Sequence, residues 1–211
     1  MNVYLYQNNT EKILKNIYIG EVWTPSSNTI AYFPFEDDQL DKVGSAVISA
    51  TWTKQTLWYK FDLTGAAKIS NITNSKFCCF WIKFWAAKSG VDQTPTIWLW
   101  ELTYNYNHDK SDFYKKFSYQ YSSSWWWASN TYNASSWQRY LFAYWYNGTN
   151  AVVYVNGTKV MDVQTSLYSW INWSLWFNID ETLSELIFED RCRTAQEISH
   201  YYDITKSNYW L

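Results

Sequence analysis

Three observations predict an all-β protein that folds as a two-sheet antiparallel jelly-roll sandwich with one short C-terminal helix. Short β-prone runs separated by turn residues recur from residue 29 to residue 189, which is the spacing typical of sandwiches. Two Asn-Gly pairs stand between such runs, and this dipeptide favours tight hairpins. A helical pattern is convincing only after residue 194. The 211 residues suit one domain of this class.

The elements follow in chain order. Residues 1–27 form an N-terminal extension or anchor, residues 28–205 the jelly-roll domain, and residues 206–211 a C-terminal tail. The predicted strands are 29–35, 46–50, 57–63, 77–85, 96–102, 113–121, three strands within 139–163, and the last strands within 175–189.

The segment FCCFWIKFW, residues 77–85, is a nearly continuous apolar run. Such a run predicts a central strand that is covered on both faces. Because neighbouring residues on a strand face opposite sides, Cys78 and Cys79 cannot share a face. With Cys192 the cysteine count is odd, so buried thiols are favoured over a disulfide framework.

The clearest β pattern in the sequence is in residues 139–163, where Asn147-Gly148 and Asn156-Gly157 each separate two β-prone runs. Asn-Gly fits a type I′ turn, whose twist matches that of the flanking strands. The segment therefore predicts a three-strand meander with two type I′ turns.

The single predicted helix begins with the capping box Thr194-Ala195-Gln196-Glu197. In such a box the hydroxyl bonds the third amide and the carboxylate reaches back to the first residue. Ile198, Tyr201 and Tyr202 then form an apolar stripe at helical spacing. We expect a surface helix that closes the domain.

Composition and charge exclude several partners. The net charge is −2 and no Lys/Arg cluster occurs, so a phosphate-binding stripe and a nucleic-acid partner are not expected. The first residues lack the basic start and apolar core of a signal peptide, and no apolar run is long enough to span a bilayer. We therefore expect neither export by the usual N-terminal route nor membrane insertion.

Tryptophan is in surplus and glycine in deficit. The chain has 16 Trp and only 6 Gly, where a typical chain of this length has about 15 Gly. One hypothesis is that UGA codons for glycine were translated as tryptophan, which would turn SSSWWWASN (122–130) into an ordinary flexible loop. Finding tryptophan at positions 125–127 by mass spectrometry of the natural protein would refute it.

The rival hypothesis takes the tryptophans at face value. Trp125, Trp126 and Trp127, together with Tyr132, then form a glycan-binding loop. Aromatic faces stack on sugar rings, and their polar edges form hydrogen bonds.

Several motifs resemble the concanavalin A-like lectin/glucanase superfamily, particularly its laminin-G-like domains. They are IAYFPFEDDQLDKVG (30–44), the strand Phe80-Trp81-Ile82-Lys83, the Trp-led strand from Trp137 with its Tyr-x-Asn-Gly turn, and LSELIFEDRCRTAQEISHYY (183–202). The resemblance covers residues 28–203 and implies a two-sheet jelly roll. It does not imply one activity, because the fold carries binding, catalytic and structural members.

The acidic segment after the first predicted strand is a candidate for catalysis or metal binding. Retaining glucanases of this superfamily carry Glu-x-Asp-x-(x)-Glu, and Glu36 to Asp41 is the nearest match. Because the segment lies in a turn and ends in Asp, we expect Asp38 or Asp41 to accept backbone amides there instead. Asp37, Asp38 and Asp41 are weak calcium candidates, and no other cofactor is expected.

Acids near the C-terminus have two interpretations. Glu185, Glu189 and Asp190 are either exposed strand acids or part of the acidic-Arg step, in which Asp190 and Arg191 hold the final turn together. No catalytic residue is assigned.

We therefore expect a non-enzymatic recognition or display module that contacts a glycan or protein on a cell surface. A phage structural or tail-associated protein is the preferred setting, on the virion or cell exterior and with neighbouring virion subunits as further partners. The alternatives are a glycoside hydrolase of the same superfamily and a purely structural virion packing module.

Overall fold

The computed structural model describes most of the predicted β segments and the helix. The described residues are 3–7, 10–14, 23–34, 40–49, 52–55, 58–61, 68–72, 74–84, 96–99, 102–105, 116–120, 127–132, 138–164, 175–176 and 181–209.

These residues form seventeen strands and one helix. The strands are β1 (Val3–Gln7), β2 (Thr10–Leu14), β3 (Thr29–Phe33), β4 (Val47–Ser49), β5 (Trp52–Gln55), β6 (Trp58–Phe61), β7 (Lys68–Ser70), β8 (Phe77–Phe84), β9 (Thr96–Leu99), β10 (Leu102–Asn105), β11 (Lys116–Gln120), β12 (Trp127–Thr131), β13 (Arg139–Tyr146), β14 (Asn150–Val155), β15 (Thr158–Gln164), β16 (Leu175–Trp176) and β17 (Glu181–Glu189); the helix is α1 (Ala195–Tyr209).

The strands assemble into two main sheets. The larger runs β15-β14-β13-β8-β17-β6-β5, with β3 also paired to β17, and the smaller runs β12-β11-β10-β9-β16. Two short ribbons, β1-β2 and β4-β7, complete the described β structure. The pairings in the main sheets are antiparallel. The predicted all-β antiparallel sandwich with one C-terminal helix is confirmed.

Strand β8 divides the protein core into two parts. It lies between β13 and β17 in the larger sheet. Its alternate residues Cys78, Phe80 and Ile82 join an inner core, which also contains residues of β4 and β7. Cys79 and Trp81 join an outer core under α1. The prediction of a strand covered on both faces, with Cys78 and Cys79 on opposite sides, is confirmed.

The meander β13-β14-β15 forms as predicted, but its two turns differ. Asn156 (φ 50°) and Gly157 (φ 78°) both have positive φ, as a type I′ turn requires. At the other turn the positive φ falls on Gly148 (96°) and not on Asn147, so the type I′ prediction is wrong there. Asn147 N donates to the carbonyl oxygen of Asn150, so Gly148 is the first of the two loop residues. Asn147 Oδ1 accepts the amides of Thr149 and Asn150 at 2.9 and 2.8 Å.

Replacing Gly157 with alanine is expected to destabilise the protein more than replacing Gly148. Both positions have positive φ, which disfavours any Cβ by about 1–2 kcal/mol. A Cβ at Gly157 would in addition lie 3.2 Å from Ser199 Cα on the helix, whereas at Gly148 it would meet no atom within 4 Å. Urea unfolding of the two alanine variants measures the difference. Equal losses would show that the close approach to the helix contributes nothing.

Helix α1 begins as the capping box predicts. Glu197 N donates to Thr194 Oγ1 at 3.2 Å, and Thr194 N donates to Glu197 Oε2 at 2.7 Å. Ile198 and Tyr201 are buried in the outer core, and Tyr202 packs against it. The predicted helix that closes the domain is confirmed. It continues to Tyr209 and so includes most of the segment predicted to be a separate tail.

Two segments have strands that the sequence analysis did not assign. Residues 127–130 lie in the segment that both tryptophan hypotheses treat as a loop, but they belong to β12, where Trp127 pairs with Gln120 of β11. Within the N-terminal extension, β1 and β2 form a hairpin, and Trp23 packs against the outer core. No helix of the described residues has the length and apolar character needed to cross a membrane.

Candidate functional site

One end of β13 combines an aromatic ring with an exposed amide. Tyr132 follows β12 and is half-buried against the inner core. Its ring contacts the ring of Tyr140 edge to face, with centroids 5.9 Å apart. Tyr140 Oη donates to Oε1 of the exposed Gln138 at 3.1 Å. We call Tyr132, Gln138 and Tyr140 the Tyr132 edge.

The phenol of Tyr132 stays protonated. Burial, with smaller effects of the Tyr140 and Tyr202 hydroxyls, raises the pKa of Tyr132 to about 12. At neutral pH its hydroxyl can therefore both donate and accept hydrogen bonds. Such a group can bind a ligand rich in hydroxyls.

The three tryptophans predicted to form a glycan-binding site with Tyr132 are not found beside it in the described structure. Trp125 and Trp126 are not among the described residues, and Trp127 begins β12. Tyr132 follows the other end of that strand, five residues on, so about 17 Å separates the two Cα atoms at ~3.3 Å per residue. A ligand that contacts both must span that distance.

Asp41 holds a turn together. Its Oδ1 accepts the amides of Tyr32 and Val43, each at 2.9 Å, and its Oδ2 accepts the amide of Ala46 at 3.0 Å. These bonds agree with the interpretation of the acidic segment as a turn. The remaining catalytic or calcium candidates of this segment lie outside the described residues; they are Glu36, Asp37 and Asp38. Within the described part of the chain, no group of three or more His, Cys, Asp or Glu residues is arranged to hold a metal ion.

A buried carboxylate with tyrosine donors lies under the helix. Glu185 is 6% exposed. Its Oε1 accepts a hydrogen bond from Tyr32 Oη at 2.9 Å, and its Oε2 accepts from Tyr201 Oη at 2.6 Å and from Tyr209 Oη at 3.1 Å. The interpretation of Glu185 as an exposed strand acid is therefore wrong. The register of β17 against β8 shifts between Leu183 and Glu185, and Glu185 is hydrogen-bonded to two tyrosines of α1 instead of being exposed to water.

A second buried carboxylate, Glu189, pairs with Arg193. Arg193 Nε donates to Oε2 at 3.0 Å and Nη2 donates to Oε1 at 2.6 Å, with side-chain exposures of 5% and 1%. The guanidinium also lies 4.9 to 5.5 Å from the ring centroids of Phe77, Tyr201 and Trp23. Burial disfavours its charge, but the bonds to Glu189 outweigh burial and leave the pKa of Arg193 raised. The acidic-Arg step is therefore built by Glu189 and not by Asp190.

These carboxylates serve the fold. Glu185 and Glu189 lie four residues apart on β17, which places their Cα atoms about 13 Å apart. Both are buried and hydrogen-bonded to neighbouring side chains. Acid pairs that cleave glycosides face the substrate. Neither residue can contact an external sugar while the helix covers it.

Arg191 bonds the helix cap. Its Nη2 donates to Glu197 Oε1 at 2.6 Å, and its Nη1 donates to Oε2 at 3.1 Å. These bonds, assisted by Thr194, lower the pKa of Glu197 to about 2 from its ordinary 4.5.

The cap predicts an acid-dependent loss of stability. Since the pKa of Glu197 is lower in the folded protein than in the unfolded chain, its stabilising effect is full above pH ~5 and is lost as the pH falls towards 2. The stability difference between the parent and Glu197→Gln should therefore shrink over that interval. Denaturant unfolding at a series of pH values measures it, and a difference that does not change with pH would contradict the assignment.

Known structures share the fold. No family model matches the chain, and no curated protein matches it. Domain 4 of the extracellular arabinanase AbnA from Geobacillus stearothermophilus, solved in complex with arabinotriose, aligns with a TM-score of 0.58 at 12% identity, covering 82% of this chain and 97% of that chain.

This chain also aligns with one part of two longer proteins of known structure. Trypanosoma rangeli sialidase in complex with sialic acid aligns with a TM-score of 0.65 at 11% identity, over 97% of this chain and 44% of that chain. A botulinum neurotoxin type C structure, whose study concerns cell entry through two ganglioside molecules, aligns with a TM-score of 0.61 at 13% identity, over 83% and 51%. The chain is thus similar to β-sandwich domains from carbohydrate-active and carbohydrate-binding proteins, and at these identities the likeness concerns the fold.

Proposed function

We propose that the chain is a non-enzymatic recognition module that binds a glycan through the Tyr132 edge, with Trp125, Trp126 and Trp127 as a second contact region. The Tyr132 edge carries this proposal. It offers a partly exposed aromatic ring, a protonated phenol and an exposed amide within one short stretch, and these groups together suit a sugar with apolar faces and hydroxyl edges.

The structural comparisons support this choice of ligand. The arabinanase domain that the chain matches over nearly its whole length was solved with a bound trisaccharide, and the neurotoxin study concerns gangliosides. The buried acids Glu185 and Glu189 are engaged within the fold, which favours binding over cleavage.

The proposed setting is a phage virion or a cell exterior, with the module displayed on a tail or a similar structure. The N-terminal hairpin β1-β2 then serves as the attachment to neighbouring virion subunits. Tail and capsid genes beside the coding gene would support this setting, and an enzymatic operon would overturn it.

A glycan array tests the ligand class. Tyr132→Ala should weaken binding about tenfold, since losing a stacking ring and its hydroxyl is worth about 1.4 kcal/mol or more. Tyr132→Phe keeps the ring and should weaken binding less. Leu40→Ala is the control, because Leu40 is 64% exposed and is not part of the Tyr132 edge.

The same array separates the alternatives. Specific binding with no change in the glycan supports the module. Release of shortened sugars would show a hydrolase, whereas a lack of binding to every glycan would support a purely structural packing module.

A further inference from the structure

The sequence Asn-Gly-Thr occurs twice in the meander β13-β14-β15, once at each of its two turns. Residues 147–149 carry it at the first turn and residues 156–158 at the second. An asparagine that precedes glycine can cyclise, because glycine has no Cβ to hinder the approach of its backbone nitrogen to the asparagine Cγ. The fold decides whether these two atoms can meet, and the two turns differ in this respect.

At the first turn, the side-chain carbonyl of Asn147 is surrounded by hydrogen-bond donors. Its Oδ1 accepts bonds from Thr149 N at 2.9 Å, from Thr149 Oγ1 at 3.1 Å and from Asn150 N at 2.8 Å. Donors fixed around a carbonyl oxygen stabilise the negative charge that develops there when a nucleophile attacks the carbon. The loop therefore supplies its own oxyanion hole for an attack on Cγ of Asn147.

The attacking group at this turn is accessible. The residues 147–149 are all exposed, and a Cβ added at Gly148 would meet no atom within 4 Å. Within the part of the chain that the structure describes, no acceptor binds the backbone amide of Gly148. Cyclisation therefore breaks no hydrogen bond of the Gly148 amide.

The second turn holds its asparagine in place. Asn156 N donates to the carbonyl oxygen of Leu141 at 2.9 Å, and Asn156 Oδ1 accepts the amide of Leu141 at 2.9 Å. Asn156 is half-buried, and a Cβ added at Gly157 would lie 3.2 Å from Ser199 Cα on the helix. Cyclisation here would have to pull the turn away from both β13 and α1.

We propose that Asn147 is a site of spontaneous deamidation that its own turn promotes, whereas the fold protects Asn156. The backbone nitrogen of Gly148 attacks Cγ of Asn147, and its proton passes through water to Nδ2. The bond from Gly148 N to Cγ forms, the Cγ–Nδ2 bond breaks, and Nδ2 leaves as ammonia. One water molecule then opens the cyclic imide at either of its two carbonyls, which yields aspartate or isoaspartate.

The two products affect the turn differently. Either one adds a negative charge, so the net charge of −2 becomes −3. The carboxylate of aspartate can accept the same hydrogen bonds, and a charged acceptor binds them more strongly. Isoaspartate adds one carbon atom to the main chain and so disturbs the bond from residue 147 N to the carbonyl oxygen of Asn150. Tyr140 of the Tyr132 edge lies seven positions away along β13, about 23 Å at ~3.3 Å per residue, so this proposal does not depend on glycan binding.

Peptide mass spectrometry measures both sites in one sample of the whole protein. Incubation in mildly alkaline buffer made with heavy-oxygen water marks new product, because the water that opens the imide leaves one heavy oxygen in it. In the folded protein, Asn147 should convert at least about tenfold faster than Asn156, since even one donor to an oxyanion changes a rate by roughly 10²–10³ in an enzyme site. In urea the two sites share the same local sequence and should convert at similar rates.

A matched pair of variants tests the contribution of the donors. Thr149→Val keeps the shape of the side chain but removes the hydroxyl donor, and it should slow conversion at Asn147 several-fold. Thr158→Val makes the same change after Gly157, where the described contact of Asn156 Oδ1 is with Leu141, and should leave Asn156 unchanged. Equal rates at the two asparagines of the folded protein would overturn the proposal. Faster conversion of Asn147 in Thr149→Val would also overturn it, because the donors would then be holding Cγ away from Gly148.

Discussion

Arg193→Ala is expected to lower the free energy of unfolding by about 3–5 kcal/mol, because it leaves the buried carboxylate of Glu189 without its partner. The pair has side-chain exposures of 5% and 1%, so water cannot replace the lost bonds. The guanidinium also contacts three aromatic rings, which would lose a neighbour. Urea unfolding followed by far-ultraviolet circular dichroism measures the effect.

Two controls test the electrostatic explanation. Lys159→Ala breaks an exposed ion pair and should lower stability by no more than about 1 kcal/mol. The double variant Glu189→Leu/Arg193→Leu removes both buried charges and should be more stable than Arg193→Ala. If the double variant is the less stable of the two, packing and not the unpaired carboxylate explains the loss.

Trp81→Ala is expected to lower the free energy of unfolding by about 3–5 kcal/mol, the range for a large aromatic side chain removed from a core. Trp81 is fully buried, and its ring packs against Tyr202 and Tyr209 of the helix. Its Nε1 donates to Thr205 Oγ1 at 3.2 Å. The substitution therefore opens a cavity in the outer core and removes a contact that holds the helix to the sheet.

A matched pair of conservative variants separates packing from hydrogen bonding. Trp81→Phe should still lower stability, since it loses the bond to Thr205. Trp145→Phe should be neutral or slightly stabilising, because the buried Nε1 of Trp145 has no hydrogen-bond partner among the described residues and removing such a donor is favourable. Equal losses in the two variants would show that the indole nitrogen of Trp81 is unimportant.

Local signals in the sequence predicted much of the fold. The apolar run of β8, the Asn156-Gly157 turn and the Thr194–Glu197 capping box each depend on residues adjacent or nearly adjacent in the chain. Their structures follow from short-range geometry, which a sequence displays directly. The prediction at Asn147-Gly148 is wrong because the Asn147 side chain bonds the loop amides, and the dipeptide alone does not reveal that choice.

The buried polar contacts could not be predicted in the same way. Tyr32 and Glu185 are 153 positions apart, and they meet only because β3 pairs with β17. Glu185 is buried because residues Tyr201 and Tyr209 of α1 donate to its carboxylate from the other side of the packed layer. The candidate glycan-binding residues Trp125, Trp126, Trp127 and Tyr132 remain predictions.

The opposite orientations of Cys78 and Cys79 supply a pair of chemical reporters one residue apart. Burial raises the pKa of both thiols, so alkylating reagents reach either sulfur only when its layer opens. Detachment of α1 alone would expose Cys79, whereas Cys78 would react only when the sandwich itself separates. With the partly accessible Cys192 replaced by serine, the order in which the two sulfurs are labelled would show whether the protein unfolds in one cooperative step or whether α1 detaches before the sandwich unfolds.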